Sequence, residues 1–217
     1  RVLNHGDNIA EARSRADLLV ADERLTYING FNDAAIVAGQ GTVGLEILEQ
    51  VADLDAIVVP IGGAGLIAGI ALATKELAPR VRIVGVEPSR CASFAAAMAA
   101  GKPVRVSSVA TLADGLAVPE VGARSFEIAR TRVDECVAVD ENAIALAILR
   151  LAELEKGVVE GAGAAPLAAF LAGKLDSLKG KRVALVLCGG NIDPLVFSRV
   201  IEQGLAVDGR LVKFSAV

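Results

Sequence analysis

The segment Ala56–Ile61 reads AIVVPI, an unbroken apolar run bounded by Asp55 on one side and by Gly62-Gly63-Ala64-Gly65 on the other. A run that is apolar at every position, rather than every second one, suits a strand covered on both faces, as in a parallel sheet. Arg182–Leu187 (RVALVL) repeats the pattern and is the clearest buried strand of the chain; Val81–Val86 is a third. Each is separated from the next by stretches with helical spacing. Asp7 is placed to cap a helix running to about Ala21, and Asp33 to cap one over Ala34–Val51. Leu66–Leu77 reads as a helix closed by Pro79, followed in order by helices at Ser93–Ala100, Val121–Thr131, Glu141–Glu155, Ala164–Ala172 and from Pro194 to about Gln203. Shorter strands are expected at Leu25–Ile28, ended by Asn29-Gly30, at Glu135–Val139, and at Arg210–Phe214.

Strands alternating with helices predict an α/β fold: an open, mostly parallel sheet with helices on both faces. The composition agrees, being 53% apolar with 22 glycines and only 3% aromatics, so that small side chains let helices lie close on the sheet. The charged opening up to Asn32 differs in texture from the Gly/Ala-rich remainder. A domain boundary is therefore expected there, separating residues 1–32 from 33–217.

No apolar run reaches bilayer length and no signal peptide is visible. The net charge of −4, with both signs interspersed, argues against a basic patch for nucleic acid or a membrane surface. Three cysteines, Cys91, Cys136 and Cys188, show no paired spacing and point to a reducing, cytoplasmic setting. The chain opens on Arg1, and RVLNHGDNIAEA reads like the middle of a domain, so a longer parent protein is expected.

Chemistry concentrates in glycine-rich turns. Gly62-Gly63-Ala64-Gly65 directly follows a strand and precedes a helix. Glycines let successive N–H groups converge, and a helix start adds partial positive charge, so a phosphate is the natural ligand. The plain alternative is a tight turn without a ligand. Cys188-Gly189-Gly190-Asn191 follows RVALVL, at the strand end where open α/β sheets bind ligands. Glu160-Gly161-Ala162-Gly163 precedes another helix and brings a carboxylate within reach of the same crevice. Each turn alone is compatible with a structural role; together they favour one shared ligand. Gly39-Gln40-Gly41-Thr42-Val43-Gly44 matches GxGxxG, but it lies inside a helical pattern, so close helix packing is preferred over dinucleotide binding. His5, the single histidine, sits among polar residues and is a poor centre for a triad or a zinc site.

These strings resemble the fold-type II (tryptophan synthase β-like) pyridoxal 5'-phosphate (PLP) enzymes, in particular their threonine/serine dehydratase and serine racemase branch. The resemblance rests on Ala38–Leu48 (AGQGTVGLEIL), Val58–Ala71 (VVPIGGAGLIAGIA), Gly85–Arg90 (GVEPSR), Leu112–Val118 (LADGLAV), Val158–Ala169 (VVEGAGAAPLAA) and Leu187–Asp193 (LCGGNID), in that order. It implies that the amides of Gly62, Gly63, Ala64, Gly65 and Leu66 hold the PLP phosphate. Gly115 and Glu160 lie near the ring in such a site, Cys188 stands against the pyridine nitrogen, and Asn191 shapes the turn after it. Glu87 resembles the carboxylate of a divalent-cation site found in some relatives, although Cys91 and Ser93 fit the remaining ligand positions poorly. Ala64 stands where the family has glycine; a left-handed backbone there costs about 1 kcal/mol. The Schiff-base lysine belongs to an S-x-K-x-R-G-A segment expected upstream of Arg1, and no lysine of this chain has that context. By the resemblance, residues 1–32 are the tail of a small domain and 33–217 most of the large one.

The implied activity is ammonia loss from threonine, or serine, by β-elimination in the complete enzyme. A neutral thiol at Cys188 does not hold the pyridine nitrogen protonated as a carboxylate would, which suits elimination. The alternatives are a non-catalytic fragment binding phosphate or PLP weakly, serine racemisation, and another fold-type II β-elimination or replacement. The expected partners are a small amino-acid substrate and either further copies of the chain or a complementing N-terminal fragment.

Overall fold

A computed structural model describes residues 2–6, 9–212 and 214. Four parallel strands form one sheet in the order β3-β2-β1-β4: β1 Ala56–Pro60, β2 Arg82–Pro88, β3 Glu135–Val139 and β4 Val183–Leu185. β1 is the pivot, pairing Ala56 with Arg82 of β2 on one side and with Val183 of β4 on the other. Around the sheet run α1 Ile9–Glu23, α2 Ala34–Gln50, α3 Gly65–Leu77, α4 Ser93–Ala100, α5 Ala123–Ala129, α6 Glu141–Arg150, α7 Gly161–Leu171 and α8 Pro194–Val207.

The period-two alternation of strand side chains divides the core into two layers. Ala56, Val58, Val84 and Val86 pack with residues of α6, α7 and α8, among them Ile144, Ile148, Ala165 and Val200. Ile57, Val59, Ile61 and Ile83 face the opposite way and meet Val37, Ile67, Ile70, Phe94 and Phe126 of α2 to α5. Each residue of β1 is buried, which is why its sequence shows no polar alternation.

Several expectations change. Leu25–Ile28 forms no strand: it has no ladder partner, and Leu25 and Ile28 are 50% and 65% exposed. β4 is shorter than RVALVL suggests and only half-buried, because it pairs on one side only. The helix after Asp140 gives way at Leu151–Glu155 to a π turn, and α7 begins at Gly161 rather than Ala164. No described residue of 210–214 is in a strand. Asp7, expected as the cap of α1, lies outside the described residues, as does Lys213. Among the described residues no helix is long and apolar enough to cross a membrane.

Candidate functional site

The strand order runs outward from β1 through β2 to β3, then reverses to β4, so the topological switch falls between β1 and β4. Open α/β sheets hold their ligands at the carboxyl ends of strands at such a point. A cavity of about 340 Å³ lies there, lined by Gly62, Gly63, Ala64, Gly65, Leu66, Gly115, Glu160 and Cys188 among others. Thus the structure gathers around one space all but one of the residues singled out for the phosphate-bearing cofactor. Asn191 is the exception: it borders a neighbouring pocket of about 520 Å³ with Thr111, Asp114 and Asp193, and Glu160 separates the two. Its backbone N–H donates to Glu160 Oε2 at 2.8 Å, while Glu160 N–H donates to Gly189 O at 3.1 Å. The turn after β4 and the start of α7 are thereby tied into one wall.

The glycine turn enters α3 through Ala64, whose backbone is left-handed at φ 71 and ψ 3. The first intrahelical bond runs from Ala68 N–H to Ala64 O at 3.0 Å, so Gly65, Leu66 and Ile67 are the opening amides that a helix leaves without internal acceptors. Not every glycine here answers to a ligand. A Cβ on Gly63 would strike the Phe31 ring, and one on Gly65 would lie 2.7 Å from Phe31 Cα. Gly62 instead faces the opposite wall, where a Cβ would sit 3.1 Å from Leu116 Cα and 3.2 Å from Gly115 O. The glycines of Glu160–Gly163 have a similar explanation. Cβ atoms on Gly161 and Gly163 would collide with the carbonyls of Leu112 and Cys188, so α7 starts in direct backbone contact with the segment leading to Gly115 and with Cys188 of the cavity lining.

The Gly115 wall is held from outside. Glu141, at the first position of α6, accepts from Thr111 Oγ1 and from Leu112 N–H, both at 2.6 Å. Arg90 donates to Ala110 O at 2.6 Å. Burial pushes the Cys188 thiol up from its ordinary pKa, and the charge of Glu160 adds to this, which favours the neutral thiol at this lining residue.

Glu87 is buried and spoken for. Its Oε1 accepts from Phe94 N–H at 2.6 Å and its Oε2 from Ala95 N–H at 2.9 Å, capping α4, whose own cap residue Ala92 supplies no side-chain acceptor. Cys136 Sγ adds a contact at 3.5 Å to Oε2. Burial raises the Glu87 pKa, opposed by these donors. The cation expected at Glu87 therefore meets a carboxylate engaged as a helix cap, and among the described residues no three His, Cys, Asp or Glu side chains converge on a metal-sized site.

Phe31, Gln40, Leu116 and Val118 also line the cavity and were given no ligand role in the sequence, whereas Gly189, lining it too, belongs to the Cys188–Asn191 turn marked there. Gln40 comes from the GxGxxG stretch set aside as packing. An aromatic residue isolated among polar ones, as in Asn29-Gly30-Phe31-Asn32, is the one signal that pointed to Phe31.

A family model described as pyridoxal-phosphate dependent enzyme matches residues 1–189. The chain is 48% identical over 208 residues to an L-threonine ammonia-lyase of Geobacter sulfurreducens, covering 96% of this chain and 52% of the relative. Among solved structures, the processed form of threonine deaminase isoform 2 from Solanum lycopersicum superimposes with a TM-score of 0.88 at 34% identity, covering 93% of this chain and 59% of that one. Maize serine racemase gives a TM-score of 0.85 at 32% identity, with 96% and 64% covered. The chain spans about half the length of the curated relatives it matches.

Proposed function

Since the chain belongs to the pyridoxal-phosphate-dependent enzyme family, we propose that its cavity holds the PLP of a threonine ammonia-lyase. The observation that carries this reading is the meeting of the Gly62–Leu66 turn, Glu160 and Cys188 around one cavity at the β1/β4 switch point. The cavity is of a size for a small phosphorylated ring, and a Cβ at Gly62 would crowd it toward Gly115 and Leu116. The names of the relatives, L-threonine ammonia-lyase and threonine deaminase, favour threonine over serine.

Residues Gly62 to Leu66 would hold the phosphate at the start of α3, where backbone donors and the helix dipole act together. PLP, when bound, supplies an electron sink for the pair released as the substrate Cα–H bond breaks. Cys188 would face the pyridine nitrogen as a neutral thiol and so leave that nitrogen free of a carboxylate partner. Glu160 keeps the Gly189–Asn191 turn beside it through the two bonds described above. Gly115 and Leu116 close the far wall. In the net reaction the β-hydroxyl of threonine leaves as water, and hydrolysis returns 2-oxobutanoate and ammonia. Among the described residues no lysine lines the cavity, and we assign the Schiff-base lysine to a part of the protein outside this chain. We likewise assign residues 1–32 to the tail of a smaller domain, in keeping with the exposed, strandless stretch at residues 24–28.

The test is product analysis on the full-length protein supplied with PLP and L-threonine or L-serine. The expected outcome is 2-oxobutanoate and ammonia from threonine, faster than pyruvate from serine. D-Serine as the main product would instead assign a racemase, a reading favoured by the likeness to maize serine racemase. No product and no change in the PLP absorption spectrum would leave a non-catalytic protein of this fold.

A further inference from the structure

We propose that Asn32 is a positioning residue for the phosphate turn: by capping α5 from a distant segment it fixes Gly63, and thereby sets how tightly the turn grips a phosphate. The ligand in this statement rests on the cofactor reading above; the mechanical coupling does not.

α5 spans seven residues, Ala123–Ala129, and begins at Gly122, which has no side chain to serve its first amides. Asn32 serves them instead. Its Oδ1 accepts from Arg124 N–H at 2.8 Å and from Ser125 N–H at 3.3 Å, the second and third helical positions, where a capping oxygen ordinarily reaches. The approach needs a glycine at 122, since a Cβ there would lie 2.5 Å from Asn32 Oδ1. Two further bonds join the segments: Ser125 Oγ donates to Phe31 O, and Arg124 Nη1 to Asn32 O at 3.3 Å. Asn32 is itself held in place, because Asn29 Oδ1 accepts from the N–H groups of Phe31 at 3.0 Å and Asn32 at 2.8 Å.

The helix so capped reaches the turn directly. Gly122 N–H donates to Gly63 O at 3.1 Å. That carbonyl belongs to the peptide leading into Ala64, the left-handed residue. A strained non-glycine backbone persists only where its surroundings over-determine it. The route from Asn32 through the α5 start to Gly63 supplies such a constraint from one side, and Phe31, packed on Gly63 and Gly65, supplies it from another. With the cap removed, the peptide before Ala64 gains freedom to relieve its strain, and the amides that follow lose their common aim.

Full-length wild type, Asn32→Ala, Asn32→Asp and Ile148→Val would be compared. Ile148 is a buried residue of α6 remote from this network, and its truncation gives a loss of stability similar to that of losing a cap. Amide hydrogen exchange without ligand reads the coupling at Gly63–Ile67; calorimetric titration with PLP and with inorganic phosphate reads the grip. Asn32→Ala is expected to speed exchange at Gly63–Ile67 and to weaken phosphate binding, each about fivefold. Asn32→Asp, which keeps the acceptor oxygen, restores both, and Ile148→Val leaves both at wild-type values. Should Asn32→Ala fail to fold, Gly122→Ala displaces the same oxygen and is expected to act alike. Unchanged exchange in Asn32→Ala, or equal effects in Ile148→Val, would overturn the positioning role. Wild-type protein that binds neither PLP nor phosphate would overturn the cofactor reading and the ligand part of this proposal, with exchange still deciding the coupling.

Discussion

Ala64 occupies a left-handed backbone at φ 71 with its side chain almost wholly buried. For an L-residue that conformation costs roughly 1–2 kcal/mol, because Cβ crowds the following carbonyl. Glycine is free of the crowding but loses more chain entropy on folding, which takes back a part of the gain. Ala64→Gly is therefore expected to stabilise the protein by about 1 kcal/mol, measured as a higher denaturant midpoint at unchanged slope. A midpoint that falls would mean that the methyl group contributes more by packing than the backbone loses by strain. This site was legible in advance through the family resemblance, which puts glycine where Ala64 stands. Asn32 was not. Its function depends on Arg124 and Ser125, which lie more than ninety residues away, and no local pattern encodes such a partner. The capping bonds of Glu87 were hidden for the same reason: a carboxylate after a strand looks alike in sequence whether it serves a metal or a helix start, and its bonds to Phe94 and Ala95 depend on where α4 lies.

At the scale of elements, the Gly39–Gly44 stretch shows how one motif carries opposite demands. α2 and α3 cross at close range, with Gly41 against Gly69 O and Gly44 against Ile70 O, where Cβ atoms would lie at 3.3 and 3.1 Å. Gly69 is tighter still: a Cβ there would come 2.6 Å from Gly41 N and closer to Val37 O. Helix propensity alone favours alanine over glycine by about 1 kcal/mol, whereas overpacking against backbone costs about 3 kcal/mol. Gly69→Ala is thus expected to lose about 2 kcal/mol of stability net. Gly39→Ala, exposed and with nothing near its Cβ position, should gain up to about 1 kcal/mol. Chemical denaturation of the two variants checks both signs; a stable Gly69→Ala would show that α2 and α3 can slide apart without penalty. The packing reading of GxGxxG follows from its helical spacing, and Gln40 reaching the cavity from the same stretch does not. Among the strands, β1 was recognisable because it is buried on both faces. Leu25–Ile28 misled because β-favouring residues make a strand only where a neighbour offers a ladder, and the order β3-β2-β1-β4 gives it none.

For the whole molecule, the reversal of strand order beside β1 explains both where the site lies and where the surface is least finished. The same β4 that brings Cys188 to the cavity ends the described sheet, with its outer edge unpaired. Beyond it the chain leaves Leu187, Leu195 and Val196 at 44%, 72% and 44% exposure. Short length is the edge's only protection, since β4 carries no proline or inward charge to discourage pairing. Such a combination favours association through the edge. The chain on its own, 22.2 kDa as a monomer, is accordingly expected to show a weight-average mass that climbs with concentration in light scattering. Leu195→Lys should lower that climb by placing a charge on the exposed start of α8 without touching the cavity lining. If the mass stays at one chain throughout, or if Leu195→Lys leaves the climb unchanged, the β4 side is not the adhesive face. The site at the switch point would then sit in a domain whose open edge is protected by its shortness alone.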